Sequence, residues 1–125
     1  MTMDASGSDQ RIDYVEFSVG NIARSRAFYG EAFGWSFKDY GPAYCEFNDG
    51  RLTGGFALAG DGNSGGAGKA GGPLVILYAS DLTATQARLE RAGARIVTPV
   101  YSFPGGRRFH FADPDGYELA VWSDK

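Results

Sequence analysis

The sequence predicts an α+β protein made of two βαβββ modules, whose strands form a curved mixed sheet around a cleft with the helices outside. Three observations predict it. Alternating apolar and polar residues open the first half of the chain and a short apolar run opens the second, as strands with a buried face require. A capped helical span follows each time, from Asn21 to Gly34 and from Asp81 to Gly93. Three shorter strand-like runs then complete each half, so the pattern repeats with an offset of about 60 residues. The 125 residues suit one domain of two small modules sharing a core.

Residues 1–10, MTMDASGSDQ, are polar and acidic and read as a loose tail. They lack the apolar and basic runs of a signal or transit peptide. From Arg11 to Val19 the chain alternates, with Val15, Phe17 and Val19 on one face and Tyr14, Glu16 and Ser18 on the other. Asn21 is a good N-cap, because its side-chain oxygen accepts from the unpaired N–H groups of a first helical turn. Ile22, Ser25, Phe28, Tyr29, Ala32 and Phe33 then recur at helical spacing, and Gly34 stands where a left-handed residue closes a helix. Strands are expected over Trp35–Tyr40, Tyr44–Asn48 and Leu52–Leu58, broken by Gly41-Pro42 and Asn48-Asp49-Gly50. Module one therefore covers residues 11–59.

Residues 60–73 form a glycine-rich linker, expected to be flexible. Gly60, Gly62 and Gly65 match GxGxxG, but no helix pattern follows, so the dinucleotide reading fails its context. Module two covers residues 74–125. Its strands are expected over Leu74–Ala79, Ala94–Val100, Arg107–Ala112 and Tyr117–Trp122, and its helix runs from a cap at Ser80 or Asp81 to about Ala92.

Composition narrows the function. A net charge of −3 and a pI near 5.0 offer no basic stripe for a nucleic acid. No run approaches the ~20 apolar residues of a membrane helix. A single cysteine forms no intrachain disulfide and fits a reducing cytoplasm. A single histidine excludes any site that needs two from one chain.

With the stretch VGNIARSRAFYGEAFGW after the first strand and FADPDGYELAVW at the last hairpin, the repeated chain resembles the vicinal oxygen chelate superfamily. That superfamily includes glyoxalase I, extradiol dioxygenases and bleomycin-resistance proteins, and the likeness covers residues 11–123, in the manner of its small glyoxalase-like branch. The resemblance implies a cleft between paired modules and a homodimer, with the modules paired within one chain or exchanged between two. It also implies a metal held by His, Glu or Gln on the first and last strands of each module. In this chain the first-strand positions fall on Tyr14 and Leu74, and the last-strand position of module two falls on Ala120. Gly54 to Leu58, in module one, contains no carboxylate, imidazole or amide. A divalent ion needs several converging N or O ligands, so neither a metal nor a cofactor is expected.

Strand parity at those positions puts Tyr14, Glu16, Ser18, Leu74, Ile76, Tyr78, Glu118, Ala120 and Trp122 on the concave face. Such a lining, apolar and aromatic with two carboxylates, suits a small organic ligand that is aromatic or cationic. The plainer reading is that these residues only pack two sheets together, with the glutamates at the rim. If Asp113-Pro114-Asp115-Gly116 closes a four-residue hairpin, Phe109 and Phe111 join the cleft and His110 turns to the far side; a bulge would reverse this. Arg107 and Arg108 read as solvated side chains or as a clamp for an acidic ligand. Cys45 has no activating context for a dyad with His110. Two functions remain open: a metal-independent binding protein of the bleomycin-resistance type, or a metal-independent lyase or isomerase in which Glu16 or Glu118 moves a proton.

Overall fold

The structure is a computed structural model that describes residues 9–59 and 73–125. The expected tail and linker lie outside the described residues, apart from residues 9, 10 and 73. Module one runs β1 (Tyr14–Val19), α1 (Ile22–Phe33), β2 (Ser36–Asp39), β3 (Tyr44–Asn48) and β4 (Thr53–Leu58). Module two repeats it as β5 (Val75–Tyr78), α2 (Leu82–Arg91), β6 (Arg95–Phe103), β7 (Gly106–Ala112) and β8 (Glu118–Ser123). Each module is a four-stranded mixed sheet, in the order β1-β4-β3-β2 and β5-β8-β7-β6. The first and last strands of each module pair in parallel, and the other neighbours are antiparallel. The parallel pairing follows from the helix, which carries the chain back before the next three strands form.

Local chemistry sets the helix ends. Asn21 Oδ1 accepts from the Arg24 N–H at 3.0 Å, and Asp81 Oδ1 accepts from the Ala84 N–H at 3.0 Å. Gly34 follows α1 with φ 73°, a left-handed conformation that glycine adopts without a Cβ penalty. One face of each sheet carries the core. Phe17, Tyr29, Phe47 and Phe56 are buried in module one, and Phe109, Phe111, Leu119 and Val121 in module two.

The modules join through these buried faces and through a set of polar bonds. Phe17 meets Tyr117 edge-on with ring centres 5.0 Å apart, and Phe28 and Phe33 of α1 both reach Phe111. Asp115 Oδ1 accepts from the Gly20 N–H and from Arg24, each at 2.7 Å. The Tyr29 hydroxyl donates to Asp113 at 2.7 Å, and the Ser18 N–H donates to the Tyr117 hydroxyl at 2.9 Å. Burial raises the Asp113 carboxyl above its ordinary range, against the lowering effect of the bond from Tyr29.

The β7–β8 hairpin corrects an expectation. Ala112 lies opposite Glu118, and the Asp113 N–H donates to the Tyr117 carbonyl at 2.9 Å. The loop is therefore the three residues Pro114-Asp115-Gly116, with Gly116 at φ 89° as a three-residue hairpin requires. Asp113 Oδ1 holds this turn by accepting from the Asp115 and Tyr117 N–H groups. A one-residue change in register turns every side chain of a strand to the other face. Phe109 and Phe111 accordingly point into the core, fully buried, and do not join the cleft. His110 takes the open face instead, opposite Ala120.

Candidate functional site

The open face of module two is built from four strands. β8 places Glu118, Ala120 and Trp122 on it; Ile76 and Tyr78 of β5 lie opposite Ala120 and Trp122, and Arg108 of β7 lies opposite Trp122. Tyr101 of β6 pairs with Arg108 across the far edge. Across this face runs one hydrogen-bonded chain. Arg108 Nε donates to the Tyr101 hydroxyl, that hydroxyl lies 3.0 Å from His110 Nε2, and His110 Nδ1 lies 2.8 Å from Glu118 Oε2. With Tyr101 receiving the arginine N–H, its own proton is free to go to His110 Nε2. Neutral His110 then carries its proton on Nδ1 and donates it to the carboxylate. The His110 side chain is 12% exposed and that of Glu118 42%, so the chain runs from a sheltered imidazole to a wet carboxylate.

Beside it, Ile76, Phe103, Gly105, Arg108 and Trp122 bound a pocket of about 370 Å³. Tyr78 meets Trp122 edge-on at 5.1 Å, and Phe103 does so at 6.3 Å. The Arg108 guanidinium lies 5.4 Å from the Tyr101 ring centre and 5.6 Å from that of Phe103, within cation–π range.

Module one has its own polar cluster on the face opposite the core. The Tyr14 and Tyr44 hydroxyls lie 2.6 Å apart, and Tyr44 donates to Glu16 Oε1 at 2.9 Å. Tyr14 therefore donates to Tyr44. Partial burial, and then the bonds with Tyr14 and Glu16, push the Tyr44 phenol well above the usual tyrosine range. Glycine makes the room: a Cβ at Gly55 would stand 1.9 Å from the Tyr44 hydroxyl and 2.7 Å from that of Tyr14.

Of the expected cleft residues, Ile76, Tyr78 and Trp122 line a groove shared with module one. Between the modules lies a groove of about 720 Å³, and β1 contributes Val15 and Phe17 to it, not Tyr14, Glu16 or Ser18. Leu74 and Ile76 stay exposed at the edge of module two, and Tyr78 is 51% exposed. A dyad of Cys45 and His110 does not form, because Cys45 is fully buried in the core of module one. Its burial, with Asp39 close by, pushes the thiol up and away from reactivity. Sequence reasoning picked out Glu16 and Glu118 but missed Tyr44, Tyr101 and Phe103. The available signal was parity: Tyr101 and Phe103 continue the alternation of β6 beyond Val100, where the expected strand ends.

Set against known proteins, residues 11–121 match the family model of the Glyoxalase/Bleomycin resistance protein/Dioxygenase superfamily. The chain belongs to this superfamily. No curated protein matches it in sequence. Solved superfamily-like structures share its fold at low identity. A glyoxalase-related enzyme from Fulvimarina pelagi is 23% identical, with a TM-score of 0.74 over 91% of this chain and 88% of that one. An antibiotic binding protein from Streptomyces sp. CB03234 is 20% identical, with a TM-score of 0.67 over 91% and 95%. A fosfomycin resistance protein from Listeria monocytogenes, crystallised as a mutant with Mn(II) and a dihydroxypropylphosphonic acid, is 14% identical, with a TM-score of 0.76 over 90% and 89%.

The superfamily's metal does not fit the residues present. Of the positions carried over from it, Leu74 and Ala120 have no donor atom, and the Tyr14 hydroxyl is engaged by Tyr44. Among the described residues no three His, Cys, Asp or Glu side chains come together. A divalent ion would find one phenol where it needs a convergent set.

Proposed function

We propose that this chain is a metal-independent, cytoplasmic small-molecule-binding protein of its superfamily. It acts as a homodimer in which the module-one face of one copy and the module-two face of the other close a shared cleft. The observation that carries the reading is the replacement of the metal-holding set by Tyr14, Leu74 and Ala120 on faces that remain aromatic and open. Ile76, Tyr78 and Trp122 supply apolar wall, while the Tyr14–Tyr44–Glu16 and Tyr101–His110–Glu118 chains supply a few oriented polar groups. That mixture is what small-molecule sites use to combine affinity with orientation. The antibiotic-binding relative supports a binding role on this fold. Nucleic acid and membrane are not among the partners proposed.

Two measurements test it. After dialysis against metal-free buffer without chelator, elemental analysis is expected to find substoichiometric metal; stoichiometric zinc, nickel, manganese or iron would overturn the metal-free reading. A thermal-shift screen of aromatic acids, alcohols and amines is expected to give saturable stabilisation that grows with ligand concentration. A flat response across that screen argues against a ligand cleft.

One observation favours a second reading, proton transfer by a lyase or isomerase. Glu118 is bonded to an imidazole that in turn meets a phenol, the connectivity of a relay whose carboxylate orients a base. Glu16 has no such partner histidine. Under this reading Glu118→Gln abolishes solvent-deuterium exchange into a bound carbonyl compound while leaving its affinity unchanged. Retained exchange would remove the relay from consideration.

A further inference from the structure

The charges on the open faces are not equally occupied, and the imbalance identifies the ligand class. Both carboxylates already have a donor from the chain: Glu16 receives the Tyr44 hydroxyl, and Glu118 receives His110. Arg108 differs. It gives Nε to Tyr101, but its two terminal nitrogens have no hydrogen-bond partner and no carboxylate within 4.0 Å among the described residues. Arg24 is matched to Asp115, Arg26 to Asp39 and Arg107 to the Lys125 carbonyl, while Arg51, Arg91 and Arg95 are exposed to solvent. Arg108 is nevertheless half-buried, held between the Tyr101 and Phe103 rings at the wall of the apolar pocket that Ile76 and Trp122 complete. A partly desolvated guanidinium with its fork unfilled gains most from a planar anion, which takes both N–H groups at once.

We propose that the module-two face binds an aryl or arylalkyl carboxylate, with the acid on the Arg108 fork and the ring against Trp122, Phe103 and Ile76. The sign of charge is opposite to the cationic ligand that two glutamates alone imply. The pocket's volume of about 370 Å³ admits a body of one or two fused rings. Tyr101 fixes the guanidinium by taking Nε, so the remaining N–H groups are pre-oriented rather than searching for a partner. This assignment rests on the reading that the open faces bind a ligand.

Calorimetric titration with three probes of one shape tests it: naphthoate, naphthalenemethanol and naphthylmethylammonium. Naphthoate is expected to bind about tenfold or more tighter than the alcohol, and the ammonium most weakly, as a charge-assisted pair predicts. Arg108→Gln should abolish the preference for the acid while leaving alcohol binding within about twofold, and Arg108→Lys should keep only part of it, because lysine retains charge without the fork. Trp122→Ala should weaken acid and alcohol alike. Equal or tighter binding of the alcohol or ammonium, or an acid preference that survives in Arg108→Gln, overturns the assignment and leaves the ligand cleft standing. Failure of all three probes to bind overturns the assignment and the cleft together.

Discussion

Gly54 and Gly55 sit side by side in β4, yet they do different things. A Cβ at Gly54 would stand 2.3 Å from the Val15 carbonyl oxygen, which is backbone of the neighbouring strand, and 2.2 Å from the tip of the Phe47 ring. A Cβ at Gly55 meets the far end of the Tyr44 side chain, which is free to swing away. Gly54→Ala is therefore expected to cost about 1–3 kcal/mol of stability, as overpacking does, in a denaturant titration. Gly55→Ala should cost less but push the Tyr44 hydroxyl out of its cluster. Its effect is read by ultraviolet titration of tyrosine: the phenol that wild type holds high should return toward the ordinary range. Unchanged titration in that variant would mean the hydroxyl is not where the backbone at Gly55 allows it to be. At this scale the sequence offered residue types and no partners. Glu16 stood out as a carboxylate among aromatics, but Tyr44, 28 positions away, is brought to it only because β1 and β3 both pair with β4.

Helices and hairpins show how much of an element is local. The second cap stayed open between Ser80 and Asp81 until the structure gave Asp81. The Asn21 cap, both closing glycines and the repeated strand pattern were legible, because each depends on neighbours within a turn or on strict alternation. The β7–β8 turn was not. Asp-Pro-Asp-Gly is compatible with loops of three or four residues, and the choice falls to Asp113, whose carboxylate collects two N–H groups of the loop and the Tyr29 hydroxyl of α1. That burial leaves a pH signature with a definite sign. The folded-state carboxyl titrates above its unfolded value, so the folded chain binds the proton more tightly. Its stabilising contribution is complete below the unfolded carboxylate range and is lost as pH rises through the raised folded value. Asp113→Asn has no such proton to lose. The melting-temperature difference between wild type and Asp113→Asn should thus shift against wild type as pH is raised from about 4 toward neutrality. A difference that stays constant with pH, or moves the other way, contradicts the raised carboxyl. The edge strand β6 gives a milder lesson. It runs through Pro99 to Phe103 with register shifts beside Thr98, which an edge tolerates because it lacks a second neighbour to receive ladder bonds.

For the whole molecule, what matters is which faces are closed. The modules are held together by Asp115, which takes bonds from Gly20 and Arg24 across the join, and by the aromatic contacts of Phe17, Phe28 and Phe33. Arg24 is 45% exposed, so solvent screens its share of the ion pair, while the Asp115 side chain is itself shielded from solvent. The open faces, with Tyr14, Ile76 and Tyr78 exposed, await a second copy under the proposed function. Light scattering at micromolar concentration is expected to give twice the 13.4 kDa chain mass. A monomer at all concentrations would leave each face to bind ligand alone. By itself the sequence determined the duplicated βαβββ plan and the ends of the first helix. Each of these is a matter of residue type at a local spacing. Only the tertiary structure decided that His110, and not Phe109 or Phe111, stands on the open face, that Arg108 lies half-buried without a carboxylate partner beside an aromatic pocket, and that Val15 and Phe17, not Tyr14 or Glu16, line the groove between the modules. Those outcomes turn on a one-residue register and on contacts between residues far apart in the chain, where period-two alternation carries no information about which face is which.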